Sequence, residues 1–462
     1  MKNIYLMKIP KIVIYGLLLT SFIWSCQGFV EIDPPETALV GNTVFTSDAT
    51  ATAALTGIYN RLMTSSNLFA NGTRSFTLLA GLSADELRNH STNQDQIEFY
   101  FNEITVTNDF VFEIWRELYR YIYAANSVIE GLANSEGTSS SVKRQLEGEA
   151  KFIRAFFNFY LVNMFGDIPV ITETDHQLNN VLSRTSVTAA YDQIVSDLTD
   201  AQNLLAEDYV SNGSRLRPNR STATALLARV YLFNEDWNNA EIQATAVLDN
   251  PLYNLEGDLN NVFIKESQET IWQLQATRAR INTYDGFYFV LTRTPNRVSL
   301  NSEILSVFEV GDNRQLNWIS SVTPDTETFY FPFKYKVRFS ATDGPILEHL
   351  VVFRLAEQYL IRAEARLQLG NVTGATQDIN VIRNRSGLGN VTSIDLAGIE
   401  QERRIELFSE WGHRWLDLKR TKRADAVLAP IKSSWQSTDV LFPIPQEEIE
   451  SNPNLIPQNP GY

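Results

Sequence analysis

Ala225-Leu226-Leu227-Ala228-Arg229-Val230-Tyr231 followed by Trp237-Asn238-Asn239-Ala240, and Tyr359-Leu360-Ile361-Arg362-Ala363-Glu364-Ala365 followed by Gly370–Ala375, are the stretches that decide the fold. In each, small residues recur at helical spacing, a turn follows, and a second helix begins. Apolar residues at three- and four-residue steps give a helix one face to bury. The periodicity runs outward from both stretches. It starts near Ser47, with Ala53, Leu55, Ile58, Tyr59 and Leu62 on one stripe. Asn108-Asp109 offers a cap for a long helix carrying Val111, Trp115, Leu118, Ile122, Ala125, Ile129 and Leu132. After a Gly/Ser-rich break at Gly137–Ser141, Leu146, Ala150, Ile153, Phe157, Tyr160 and Met164 mark the next helix, stopped at Gly166. Val187, Tyr191, Ile194, Leu198, Ala201 and Leu205 mark another. Leu355, Tyr359, Ala363 and Leu367 lead to Gly370, and Ala375, Ile379 and Ile382 lead to Gly387. Trp115, Trp237 and Trp415 lie on helical stripes and are expected in the core.

The expected fold is mainly α, built from helical hairpins that resemble tetratricopeptide units without a clean 34-residue period. Residues 251–347 break the pattern. Ile271–Leu274, Phe287–Leu291 and Phe329–Phe333 are aromatic and β-branched runs between Gly, Pro and Asn, which predict short strands and long loops. Long irregular insertions often carry function. In the last 22 residues, Pro443, Pro445, Pro453, Pro457 and Pro460 rule out a helix. Leu441, Phe442, Ile444, Leu455, Ile456 and Tyr462 then predict an extended segment packed on the helical body.

At the N-terminus, Lys2, Lys8 and Lys11 precede an apolar run from Ile12 to Trp24, about 13 residues against the roughly 20 that span a bilayer. That pattern is a secretory signal. Ser25-Cys26 closes it like a bacterial lipobox, with Ile23 where Leu is preferred. Cys26 is the only cysteine and the expected lipidation site, so no disulfide is available. The alternative is an ordinary signal peptide with an incidental cysteine. The formal net charge is −15. A chain this acidic, without basic runs, is not expected to bind nucleic acid. The expected organisation is a signal over 1–25, a lipidated tether over 26–47 and one domain over 48–462. That domain divides into N-terminal hairpins (48–250), a ligand-side insertion (251–347), C-terminal helices (348–440) and a packed tail (441–462).

Five stretches point to a family. They are Phe29–Pro35, Val351–Glu357 with Tyr359–Ala365, Ile379-Asn380 through Leu388, Glu402-Arg403-Arg404-Ile405-Glu406-Leu407 with Gly412–Arg420, and Phe442–Pro445 with Asn452–Leu455 and Gln458–Tyr462. The chain resembles a SusD/RagB-type outer-membrane lipoprotein of the Bacteroidetes. In that family the second stretch lies on the long C-terminal helix. Ser386, Ser409 and Trp411 depart from the family pattern. The resemblance implies a tetratricopeptide-like body with an irregular ligand face, and a SusC-like TonB-dependent barrel as partner. It also implies capture of nutrients at the cell surface, mostly oligosaccharides and in some members peptides. The membrane is contacted through the lipid alone.

The cluster Arg403, Arg404, Glu406, His413, Arg414 and Asp417 is expected to be structural, with Arg403–Glu406 and His413–Asp417 pairing locally. His90, His176, His349 and His413 form no zinc-binding spacing. No Walker, dinucleotide or nucleophile-elbow motif is present, so no cofactor, metal or catalytic residue is expected. Pairs such as Asp85-Glu86 suit a glycosidase in principle, but pairs like these arise by chance among 54 acids. Sugar binding needs exposed aromatic faces beside polar groups. Two regions offer both. Ser66–Phe101 carries Phe69, Asn71, Phe76, Asp85, Arg88, Asn89, Tyr100 and Phe101. Thr277–Phe333 carries Arg280, Tyr284, Asp285, Tyr288, Asn317, Trp318 and Tyr330. The named ligand candidates are Trp318, Tyr284, Tyr330 and Tyr100, with core packing as the alternative for each. A tetratricopeptide-like scaffold for a protein partner and a glycan-cleaving enzyme are the competing functions.

Overall fold

The computed structural model describes residues 44–64, 69–70 and 72–462. The signal segment, Cys26, the Phe29–Pro35 motif, the tether before residue 44, Ser66 and Asn71 lie outside the described residues. The fold is mainly α. Helices α1 (Asp48–Leu62), α2 (Phe76–Ser83), α3 (Asp109–Ala133), α4 (Ser140–Phe165), α5 (Val187–Leu204), α6 (Arg220–Phe233) and α7 (Trp237–Leu248) precede the irregular segment. α8 (Leu355–Gln368), α9 (Val372–Arg385), α10 (Leu396–Leu407) and α11 (His413–Arg420) follow it. The caps are those the side chains dictate. Ser47 accepts from Thr50 N, and Asn108 accepts from Phe110 N and Val111 N.

Each helix from α3 to α9 packs on the next. The stack passes directly from α7 to α8, although residues 249–354 lie between them in sequence. Ala228 and Leu232 of α6, Ala240 and Ala244 of α7, and Ile361 and Ala365 of α8 make one buried cluster. The two small-residue stretches, far apart in the chain, therefore pack in one place. Arginine–carboxylate pairs lock the interfaces. Arg154 grips Asp197 across α4 and α5 at 2.6 and 2.8 Å, and Arg229 grips Glu357 across α6 and α8 at 2.6 and 2.7 Å. Trp115 and Trp415 are buried, while Trp237 is half-buried at the edge of the small-residue cluster.

The irregular segment leaves and rejoins the stack through one ladder. The strands are β1 (Leu87–Asn89), β2 (Thr270–Leu274), β3 (Val298–Leu300), β4 (Ile319–Val322), β5 (Phe329–Pro332) and β6 (Leu350–Arg354). β2 pairs antiparallel with β6, Thr270 opposite Arg354 and Leu274 opposite Leu350. Trp272 of β2 stacks on Phe353 of β6, and Phe152 and Phe156 of α4 meet the Trp272 ring edge-on at 5.1 and 5.5 Å. β1 pairs with β3, and β4 with β5, both antiparallel.

Three local expectations are corrected. Leu350–Arg354 is a strand and not the start of the long helix, because a short apolar run has no period of its own and β2 supplies a hydrogen-bonding edge. Tyr284–Phe289 is a short helix, begun where the Thr283 hydroxyl accepts from Gly286 N at 2.9 Å, and this ends the expected Phe287–Leu291 strand. The proline-rich ending contains a helix, Gln446–Ser451, that starts directly after Pro445. Proline is tolerated there because a first helical turn leaves its N–H groups unbonded anyway. Elsewhere in the ending, Phe442 is buried on Trp415, and Asn459 donates to Phe165 O and Phe442 O.

A buried charge network joins the irregular segment to α9 and α10. Glu406 accepts from Arg354 (2.6 Å), Arg314 (2.9 Å) and Arg385. Arg354 also binds Glu269 and Glu410, and Arg314 binds Asp312 and Glu402. Burial alone would raise the Glu406 carboxyl. The guanidinium groups of Arg385, Arg354 and Arg314 outweigh that effect and hold it well below the usual range. The expected local pairs do not form. Arg403 instead binds Asp417 at 3.0 and 3.1 Å, and His413 Nε2 lies 3.4 Å from Arg229. Between α10 and α11, Gly412 holds φ +70. A Cβ there would meet Phe76 at 2.5 Å and Ala80 at 2.8 Å, so the turn rests directly on α2.

Glu406→Ala would leave its guanidinium partners buried without their shared carboxylate. The expected loss, read by denaturant unfolding, is about 3–5 kcal/mol. A loss under about 1 kcal/mol, typical of an exposed pair, would contradict the network's role.

Candidate functional site

The sequence candidates separate in space. Trp318, the first choice for stacking on a ligand, is 0% exposed. Its Nε1 donates to Leu259 O at 3.0 Å, and its ring packs edge-on against Phe263. Lys334 Nζ and the guanidinium groups of Arg385 and Arg354 lie 4.7, 5.5 and 5.8 Å from it. Trp318 is thus a wall of the charge network and offers no free ring face. Tyr284 is 1% exposed, lies under Tyr288 in a stacked pair, and likewise presents no face. Both expectations are corrected to core packing. Tyr330 is half-buried on β5, beside β3. Tyr100 is half-buried at the end of the short helix Gln94–Phe101, against Phe101, with Lys432 Nζ 5.8 Å from its ring. Among the described residues no ring contact joins any two of these four.

Much of the first sequence region proves structural. Phe69 and Phe76 stack in the core, and Asp85 accepts from Arg414 (2.7 and 2.9 Å) and Arg404 (2.7 Å). Arg88 pairs with Glu327.

The second region presents an open cleft of about 220 Å³, bounded by residues 287–298 and Arg338. Arg297 lies 4.7 Å over the Tyr288 ring. Arg338 lies 5.5 Å from the Phe287 ring and 5.6 Å from the Phe339 ring, and Arg280 lies 5.8 Å from the Phe339 ring. Phe287 and Phe339 meet edge-on at 4.9 Å, and Phe339 is 48% exposed. The cleft is fixed from below. His90 N donates to Arg297 O at 2.7 Å, and His90 Nε2 lies 2.8 Å from Ser299 Oγ, which ties the rim to the β1–β3 pair. Arg280 and Tyr288 are among the residues the sequence offers for sugar binding; Phe287, Arg293, Arg297, Arg338 and Phe339 are not. Asp285 is buried beneath this surface. Burial, and then the Glu410 carboxylate, push it up to about 7.

A larger cleft of about 460 Å³ lies between α1, residues 211–217 and the end of β2. Its strongest polar groups are already engaged, because Tyr59 and Arg217 both bind Glu149. In the smaller cleft the guanidinium donors meet no carboxylate and the Phe339 ring at its rim is exposed, while the Tyr288 ring lies between Arg297 and Tyr284. Among the described residues no group of three His, Cys, Asp or Glu is arranged to hold a metal ion.

A family profile described as "SusD family" matches residues 177–462. The chain belongs to the SusD family. A second profile, described as "Starch-binding associating with outer membrane", matches residues 29–232. SusD-like protein P25 of Formosa agariphila is 25% identical, over 99% of this chain and 100% of that one. A SusD superfamily protein from Bacteroides vulgatus shares the fold with a TM-score of 0.81 at 22% identity, over 91% of this chain and all of that one. Surface glycan-binding protein A from Bacteroides thetaiotaomicron, in complex with laminarihexaose, matches at TM-score 0.75 and 20% identity, over 90% of this chain and all of that one. The SusD family is associated with the outer membrane. Among the described residues no helix is long and apolar enough to cross a membrane.

The raised Asp285 carboxyl gives a signed expectation. Its stabilising contribution is full below the unfolded value and is lost as pH rises through about 7. Unfolding free energy measured across that range should therefore fall more steeply in the wild type than in Asp285→Asn. Parallel curves would contradict the assignment.

Proposed function

We propose that this SusD-family protein captures oligosaccharides and hands them to a SusC-like TonB-dependent barrel, held at the outer membrane by lipid on Cys26 and facing the cell exterior. The observation that carries the reading is the cleft on the irregular segment, where Phe287 and Tyr288 line the wall and the exposed Phe339 packs on Phe287 at the rim, beside arginine donors. Aromatic faces pack against the C–H faces of a sugar ring, and directional donors meet its hydroxyls. The cleft is smaller than the roughly 300–1,000 Å³ of closed ligand pockets. It therefore engages part of a longer chain, with the remainder lying across the outer surface. The fold shared with a laminarin-binding SusD-like protein (TM-score 0.78, 24% identity, over 90% of this chain) supports the same ligand class. The residues lining the cleft carry no carboxylate or imidazole.

Affinity gels loaded with soluble glycans test capture. A retarded glycan should be released by the pair Tyr288→Ala and Phe339→Ala, with affinity falling roughly tenfold and the melting temperature kept. Retardation that ignores both changes would move the site elsewhere. For the anchor, Cys26→Ala should leave the membrane fraction and appear in the soluble one, and persistence in the membrane would exclude lipid at Cys26.

A further inference from the structure

Resting on the capture reading, we propose that the cleft takes an acidic oligosaccharide, its carboxylate or sulfate groups pairing with Arg293, Arg297 and Arg338, with Arg280 at the rim. The argument is one of unspent charge. In the rest of the chain most arginines meet a carboxylate, as Arg314, Arg354, Arg385, Arg403, Arg414 and Arg420 do. Among the described residues, none lies within ion-pair distance of Arg278, Arg280, Arg293, Arg297 or Arg338. These five fall within residues 278–338 of a chain whose formal charge is −15. Asp285 is the only acid between Arg278 and Arg297, and it is buried.

The guanidinium groups are also held ready. Arg297 lies on Tyr288. Arg338 donates through Nε to Phe287 O and through Nη1 to Thr292 Oγ1, both at 3.3 Å. Arg280 donates through Nε to Ser340 O at 3.0 Å. These contacts fix each planar fork while leaving other N–H groups free, and such a fork suits a carboxylate or sulfate better than a hydroxyl. A neutral sugar can accept hydrogen bonds from these groups but leaves their charge unpaired, whereas an anionic one satisfies both. On an acidic protein a local basic cleft also focuses the field that draws in an anion.

The test compares matched pairs by calorimetry on the full chain: oligogalacturonate against its methyl ester, and sulfated against desulfated galactan oligosaccharides. At least one charged member should bind about tenfold more tightly than its neutral twin, and the gap should shrink with added salt. Arg297→Gln and Arg338→Gln should each narrow that gap while leaving the melting temperature unchanged. Which pair responds distinguishes a carboxylate ligand from a sulfate ester. Equal binding of charged and neutral members, or of laminarihexaose alone, would overturn this inference and leave capture intact. A charge preference untouched by both arginine changes would overturn the cleft assignment. Failure of every glycan to bind would overturn the inference and the capture reading together.

Discussion

A carboxylate in a protein interior is tolerated only if cations and donors replace its lost water. Glu406 has three guanidinium groups doing so, and they come from three places in the chain. Arg314 belongs to the irregular segment, Arg354 ends the strand by which that segment rejoins the stack, and Arg385 ends α9. One side chain of α10 therefore gathers the base of the ligand-side segment onto the helical body. Trp318 forms a wall of that arrangement, because its ring borders Lys334, Arg354 and Arg385.

Two kinds of order meet at this point. The helical stack is held by repeated, local apolar contacts and by an arginine–carboxylate grip at several interfaces. The irregular segment has little regular hydrogen bonding of its own: β4 pairs with β5, β3 pairs with β1 from the N-terminal part, and a few single helical turns lie between. Its geometry is borrowed from the stack through the β2–β6 ladder, the Trp272–Phe353 stack on α4 and the charge network. Aromatic groups that face solvent can then keep a defined position without being buried.

The helices were legible because their signals are local: apolar spacing, a capping side chain and a terminal glycine all lie within a few residues. The family was legible for a similar reason, since its motifs are contiguous. Trp318 was misread because its sequence neighbours, Asn317 and Ser320, suggest exposure. The groups that enclose it, Leu259, Lys334, Arg354 and Arg385, arrive from elsewhere in the chain. The pairing of Arg403 and Glu406 failed likewise, because more distant partners offered better geometry in a dry interior. The open cleft was half legible. Arg278, Arg280, Arg293 and Arg297 crowd into twenty residues with a single acid, Asp285, and that imbalance is visible in the sequence. What is not visible is that no carboxylate from another segment folds back to neutralise them, or that Arg338 and Phe339 complete the rim.

The direct contact of α7 with α8 has an evolutionary consequence. The chain departs after one helix and returns to the next at nearly the same place, through a ladder that acts as a closed neck. Lengthening or shortening a loop beyond such a neck changes closure entropy only slowly. Exposed loops within residues 275–349 can therefore change length at small cost to the scaffold, provided that Arg314, Trp318 and Lys334 stay in place. The rim that faces a ligand and the core that folds are thus only partly separable, coupled at the neck, at Glu406 and at the Trp318 wall.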